Sequence, residues 1–147
     1  MCLRCISNEE LVAEYDIHCY KLVERGHVCG CPYKTPFQDT NLTQDIVDGI
    51  IPYVAEGEKG ITRSHPTIPD AFWIVEGGYV HSYVNYEDAK SMCDYCNKVY
   101  ANLYFVFECI IPKGTKYFKG ITEFRDESYA SELMIFVRKM KNKNYND

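Results

Sequence analysis

The sequence predicts an α+β domain, a curved and mainly antiparallel β-sheet with one principal α-helix packed on it. Three observations lead there. Short runs rich in aromatic and β-branched residues recur along the chain, each bounded by Gly, Pro, Asn or Asp, as strands and tight turns are. One stretch, Tyr86 to about Lys98, instead repeats Ala89, Met92, Cys93 and Cys96 at three- and four-residue spacing, the apolar stripe of a helix. The connections between these runs are short, so roughly six to eight strands and one helix fit a single layered domain.

The clearest strand is Leu103 to Ile111, nearly all apolar and rich in Phe, Tyr, Val and Ile. Pro112 ends it, Pro112-Lys113-Gly114-Thr115 reads as a β-turn, and Tyr117-Phe118 resumes the strand pattern up to Gly120. Glu108 interrupts the apolar run and reads as facing solvent, or else as a carboxylate lining a cleft. Upstream, Leu11 to Tyr15 reads as one or two helical turns and Asp16 to Glu24 as a strand partly covered on both faces. Arg25-Gly26 is a hairpin turn into His27–Cys31, which Pro32 stops. Tyr33 to Gly49 is a polar loop with a short helix in Leu42–Val47, and Ile50 to Ala55 is an edge strand because Pro52 excludes a central one. Ile61 to Asp70, with two prolines, is an irregular loop. Phe72 to Val75 is a strand that Tyr79 to Tyr83 continues past Gly77-Gly78. Asn85 is the helix N-cap, with Glu87 and Asp88 in the first turn. Tyr129 to Val137 is the last strand, so the domain spans 1–138 and the Lys/Asn-rich 139–147 is a fraying tail.

Composition narrows the function classes. The chain has 147 residues and a net charge of −5, which argues against a nucleic-acid binder while leaving room for one basic pocket. Thirteen Tyr and seven Phe are high for this length; most must be core, and that many amphipathic rings also suit a pocket that stacks a planar ligand. No apolar run is long enough to span a bilayer and no secretory leader is visible, so no membrane partner is expected, the cytosol is the expected compartment, and the eight cysteines are expected as thiols.

Four constellations can carry chemistry. Cys2-x-x-Cys5 and Cys93-x-x-Cys96 supply four thiolates, but their separation far exceeds a zinc-ribbon spacing, and Cys93 and Cys96 serve equally as small core residues; no metal or cofactor is assigned. Arg63, Ser64 and His65 share a loop of the kind that builds binding sites. His81-Ser82-Tyr83 lies where a strand hands over to a helix, a place suited to anions, or else is core and locally satisfied. Tyr129, Ser131 and Glu132 open the last strand, where Ser131 and Glu132 can hydrogen-bond a ribose or simply meet solvent.

The order His81-Ser82-Tyr83, Ala89, Cys109-Ile110-Ile111-Pro112-Lys113-Gly114-Thr115-Lys116-Tyr117, Gly120 and Tyr129-Ala130-Ser131-Glu132, together with Asp16–Lys21, resembles a set of small uncharacterised proteins of bacteriophages and prophage-rich gut bacteria. A more distant likeness is to ADP-ribosyltransferase-type folds, onto which only His81, Tyr83 and Glu132 carry over, as dinucleotide-holding residues and a late carboxylate. The Ser-Thr-Ser strand of those folds is absent, and Ala130 stands where they place a second acidic or amide residue. The resemblance implies a phage-type accessory protein that sequesters a nucleotide-derived immune signal, such as a cyclic ADP-ribose-like molecule, with homo-oligomers sharing the pocket. On that expectation Arg63, Lys113 or Lys116 meets phosphate and Tyr or Phe stacks the base. An ADP-ribosyltransferase-like or nucleotide-hydrolysing enzyme is the alternative, and an inhibitor contacting a host protein through Ile61–Asp70 is another.

Overall fold

In the computed structural model, residues 3–5, 9–36, 40–65, 67–68 and 71–141 are described. The strands are β1 (Leu3–Cys5), β2 (Leu11–Val12), β3 (Ile17–Val28), β4 (Cys31–Lys34), β5 (Asn41–Leu42), β6 (Tyr53–Val54), β7 (Ile61–Arg63), β8 (Trp73–Val75), β9 (Val80–Tyr83), β10 (Tyr104–Ile111), β11 (Lys116–Ile121), β12 (Glu127–Ser131) and β13 (Leu133–Lys139). The helices are the single turn α1 (Gln44–Val47) and the principal helix α2 (Tyr86–Val99). The fold class is the predicted one: a curled, mostly antiparallel half-barrel with one main helix. The sheet runs β6-β13-β10-β3-β9-β12-β11-β1-β8-β7, with β2 on β11, β4 on β3 and β5 on β4. The strands outnumber the expected six to eight because many have only two or three residues, too short for alternation to reveal.

The curl follows from one connection. β12 and β13 are joined through Glu132 alone, yet β10, β3 and β9 lie between them in the sheet. In a flat sheet that is four strand spacings, roughly 19 Å. Two residue steps reach only about 7 Å. The sheet must bend until β12 and β13 nearly meet, and the strand expected over Tyr129–Val137 is therefore two strands that turn a corner. At the corner Glu132 N donates to Lys116 O while Glu132 O accepts from Ala55 N, so the backbone changes partners within one residue.

Inside the curl lies the largest apolar cluster, including Cys19, Val23, Val80, Phe107, Cys109, Tyr129, Met134 and Phe136. Leu42, Val47 and Tyr53 cover it from α1 and its flanks. On the outer face α2 packs Ala89, Cys93 and Cys96 against Leu22, Tyr83, Tyr104 and Val106. A third cluster joins Leu3, Cys5, Val75, Tyr79, Phe118 and Ala130. The helix is pinned to β10 by Asn97, whose Oδ1 accepts from Tyr104 N at 2.8 Å and whose Nδ2 donates to Tyr104 O at 3.2 Å. Asn85 holds the N-cap position with extended φ/ψ, but its amide donates to Asp88 at 3.4 Å and not to the backbone.

Several local expectations are corrected. Leu11–Val12 is a strand on the edge of β11, not a helical turn. The hairpin does not turn at Arg25-Gly26: β3 runs on to Val28, and the turn lies at Cys29-Gly30, where Gly30 has φ 81°. Gly26 instead sits in a bulge where a Cβ would lie 2.3 Å from Cys31 O. Pro32 is therefore inside β4, not a stop. The expected loop 61–70 begins with β7 paired to β8; Pro66, Pro69 and Asp70 lie outside the described residues. β8 and β9 are not one interrupted strand, since β8 pairs with β1 and β7 while β9 pairs with β12 and β3. β13 carries the fold to Lys139, with Met140 N donating to Val106 O, and 142–147 lie outside the described residues. The strand 104–111 is central, between β3 and β13, and Tyr53–Val54 ends the strand order as an edge.

Candidate functional site

Polar chemistry is buried within the curl. Cys19 and Cys109 are register partners, and strand alternation puts Lys21 on their face. Lys21 Nζ donates to His81 O at 2.8 Å. Burial pushes the Lys21 ammonium down to about 8, against the opposing pull of Cys109 and Cys19. Burial raises the Cys19 thiol to about 11, opposed by a contact with Ser82 and by Lys21. Burial likewise holds Cys109 well above its ordinary value. Both thiols are protonated at neutral pH and poor nucleophiles. The His81 ring, 3% exposed, points to the outer face and contacts Glu76 O through Nε2 at 3.2 Å. Burial first, and then the charge of Lys21, lower it to about 4, so the ring is neutral and the contact to a carbonyl places its proton on Nε2. Ser82, Tyr129 and Ser131 are buried on the opposite, inner face, and Ser131 Oγ has no hydrogen-bond partner among the described residues.

The remaining sequence-predicted residues are dispersed. Tyr83 is the floor of a surface cavity beside α2. Lys113 and Lys116 are exposed on the β10–β11 hairpin. Arg63 lies at the far end of the sheet, donating to Ile68 O at 3.1 Å with its guanidinium 5.5 Å from the centre of the Trp73 ring, and His65 is exposed beyond it. Glu132 is ion-paired with Lys59, whose ammonium also lies 3.7 Å from Glu10 and over the Tyr79 ring. Glu108 is engaged by Arg138 Nε at 2.7 Å and His18 at 3.3 Å, and the guanidinium is the main reason its carboxyl sits low. Cys5 belongs to a different cluster from Cys93 and Cys96, Cys2 lies outside the described residues, and among the described residues no group of His, Cys, Asp or Glu is placed to hold a metal.

A cavity of about 470 Å³ opens where two strands share one edge of β11. β2 pairs at Lys116 and Tyr117, β1 pairs at Ile121, and the cavity lies against Phe118–Gly120 between them. Phe118 and Leu11 give it an apolar wall, and Phe72 a half-exposed aromatic rim. Arg4 and Lys119 bring two cations, with the Arg4 guanidinium 5.3 Å from the Phe72 ring centre, and Glu9 supplies one carboxylate. Gly120 makes the close approach of β1 feasible, since a Cβ there would lie 2.2 Å from Arg4 O. An aromatic rim with two cations beside it is chemistry for a planar anion.

The sequence reading missed this site because Arg4 and Lys119 meet only through the β1–β11 pairing, across most of the chain. Its one local trace is alternation: Arg4 stands between Leu3 and Cys5, and Lys119 follows Phe118, so each points away from its buried neighbours. No protein-family model, curated protein or solved structure matches the chain.

Proposed function

We propose that this protein binds and sequesters a small phosphorylated, nucleotide-derived molecule in the cavity between β1, β2 and β11. The observation that carries the reading is the union of Arg4, Lys119 and Phe72 on one cavity large enough for a nucleotide. Arg4 offers a planar fork to phosphate and Lys119 a second positive charge, while Phe72 offers a face to a base. The resemblance to phage proteins supports an anti-defence role in which the ligand is a host immune signal, held and not consumed.

Binding is favoured over turnover by two placements. His81 is buried and neutral, with its Nε2 directed to Glu76 O. Glu132 is engaged by Lys59. Neither is free for a transferase or hydrolase step at this cavity.

The test is to incubate the purified protein with ADP-ribose and cyclic ADP-ribose, then measure affinity by calorimetry and recover the ligand by heating. Intact ligand released only on denaturation is the expected result. Arg4→Ala and Lys119→Ala, both on exposed side chains, should each weaken binding about tenfold or more, as loss of a charged hydrogen bond does. A new product in the supernatant would move the assignment to an enzyme. No binding of either compound, or binding that ignores both substitutions, refutes the reading.

A further inference from the structure

The cavity beside α2 has the opposite chemistry. It holds about 300 Å³, and its lining includes Tyr83, Met92, Tyr95, Tyr100, Glu123 and Phe124, with no lysine or arginine among the described residues that line it. Tyr83 is the buried floor, while Tyr95, Tyr100 and Phe124 stand as exposed walls. One wall is carried by a stiff helix and its exit, the other by the β11–β12 turn. That turn is fixed internally: the buried Thr122 hydroxyl accepts from Phe124 N at 3.2 Å and Asp126 N at 3.3 Å, and Thr122 N donates to Asp126 O at 2.9 Å. The backbone that carries Glu123 and Phe124 is thus set before any ligand arrives. Arg125, the neighbour of Phe124, is exposed and does not line the cavity.

The surroundings are acidic. Glu123 is in the lining, and Asp126 and Asp88 both act on the Tyr83 hydroxyl, raising it after the larger effect of burial. Burial and the neighbouring Asp88 in turn raise Asp126, so two carboxylates stand close to each other and to the Tyr83 hydroxyl, outside the lining itself. Aromatic faces with a carboxylate at the rim attract a poorly hydrated cation and repel phosphate.

We propose that this cavity is an aromatic cage for a small soluble organic cation bearing an alkylated, quaternary-type ammonium group. The ammonium sits against the faces of Tyr83, Tyr95, Tyr100 and Phe124, and Glu123 supplies the counter-charge. This is independent of the Arg4 cavity and of any ligand bound there.

The test is titration with choline, followed by NMR of the labelled protein, against its neutral isostere 3,3-dimethylbutanol. Choline should shift resonances of Tyr95, Tyr100 and Phe124, and the neutral analogue should bind about tenfold more weakly or not at all. Phe124→Ala and Glu123→Gln, on exposed side chains, should each weaken choline about three- to tenfold with the remaining spectrum unchanged. Equal binding of the neutral analogue, shifts that map elsewhere, or no response to choline overturns the proposal. Self-association abolished by Phe124→Ala without a choline response overturns it too, in favour of a protein interface. Co-sedimentation with phosphatidylcholine vesicles but no response to free choline overturns it in favour of a lipid surface.

Discussion

Lys21 has a long, charged side chain, yet it lies inside the curl with its ammonium on a backbone carbonyl. Its fall from 10.5 to about 8 means that the folded state resists the proton the unfolded chain still wants, at a cost of ~3 kcal/mol at neutral pH. The whole penalty is present below pH 8 and fades as pH rises from 8 to 10.5. Lys21→Met should therefore stabilise at pH 7 by ~1–3 kcal/mol, net of the lost bond to His81 O. Urea denaturation at stepped pH should show that gain shrinking across the window; a gain independent of pH refutes the account. His81 gives the acid counterpart. Its ring is held neutral to about 4, while the unfolded chain takes up the proton from 6.5 downward, so its stability contribution is lost as pH falls through that range. Thermal melts between pH 6.5 and 5 should slope less in His81→Gln than in the parent chain, whatever the variant's absolute stability; equal slopes reject the titration of His81 as the cause.

At the scale of elements, ends and turns decide more than strand interiors. Gly26 and Gly30 look alike in sequence but do different things: one admits the Cys31 carbonyl at a bulge, the other takes φ 81° and makes the turn. The β11–β12 turn rests on Thr122, 1% exposed, whose hydroxyl accepts from two backbone donors. Thr122→Ala leaves those buried N–H groups without that acceptor and should cost ~1–2 kcal/mol in chemical denaturation. It should also loosen Phe124, visible as faster amide exchange at 123–126, while Thr122→Ser, which keeps the hydroxyl, should retain protection. Equal exchange in both variants would contradict this role for the hydroxyl.

Across the whole molecule the chain is arranged so that its early residues staple its middle. β1 lies between β11 and β8, and β8 in turn carries β7. Removing residues 1–8 should release β7 and β8 as a unit, because β1 is the strand that joins them to the sheet. Hydrogen exchange should then show residues 61–63 and 73–75 losing protection while β3 and β10 keep theirs. Retained protection in β7 and β8 would mean that they are held by other contacts. The same deletion removes Arg4 and one wall of the 470 Å³ cavity, so it should also abolish ligand binding there.

Local patterning already carried the class of fold, the central strand 104–111 and the helix that starts after Asn85, because period-two and 3.6-residue repeats are local and survive any tertiary arrangement. It did not determine the corner at Glu132, the two- and three-residue strands, or which polar side chains share a cavity. His81, Ser82, Tyr129 and Ser131 were legible as unusual, but their burial was not, since that depends on strands distant in the chain closing over them. Arg4, Phe72 and Lys119 carry no mutual signal in sequence and meet only because β1 crosses to β11. Pairing across such separations is set by which apolar faces can be buried together, and only the folded chain settles that.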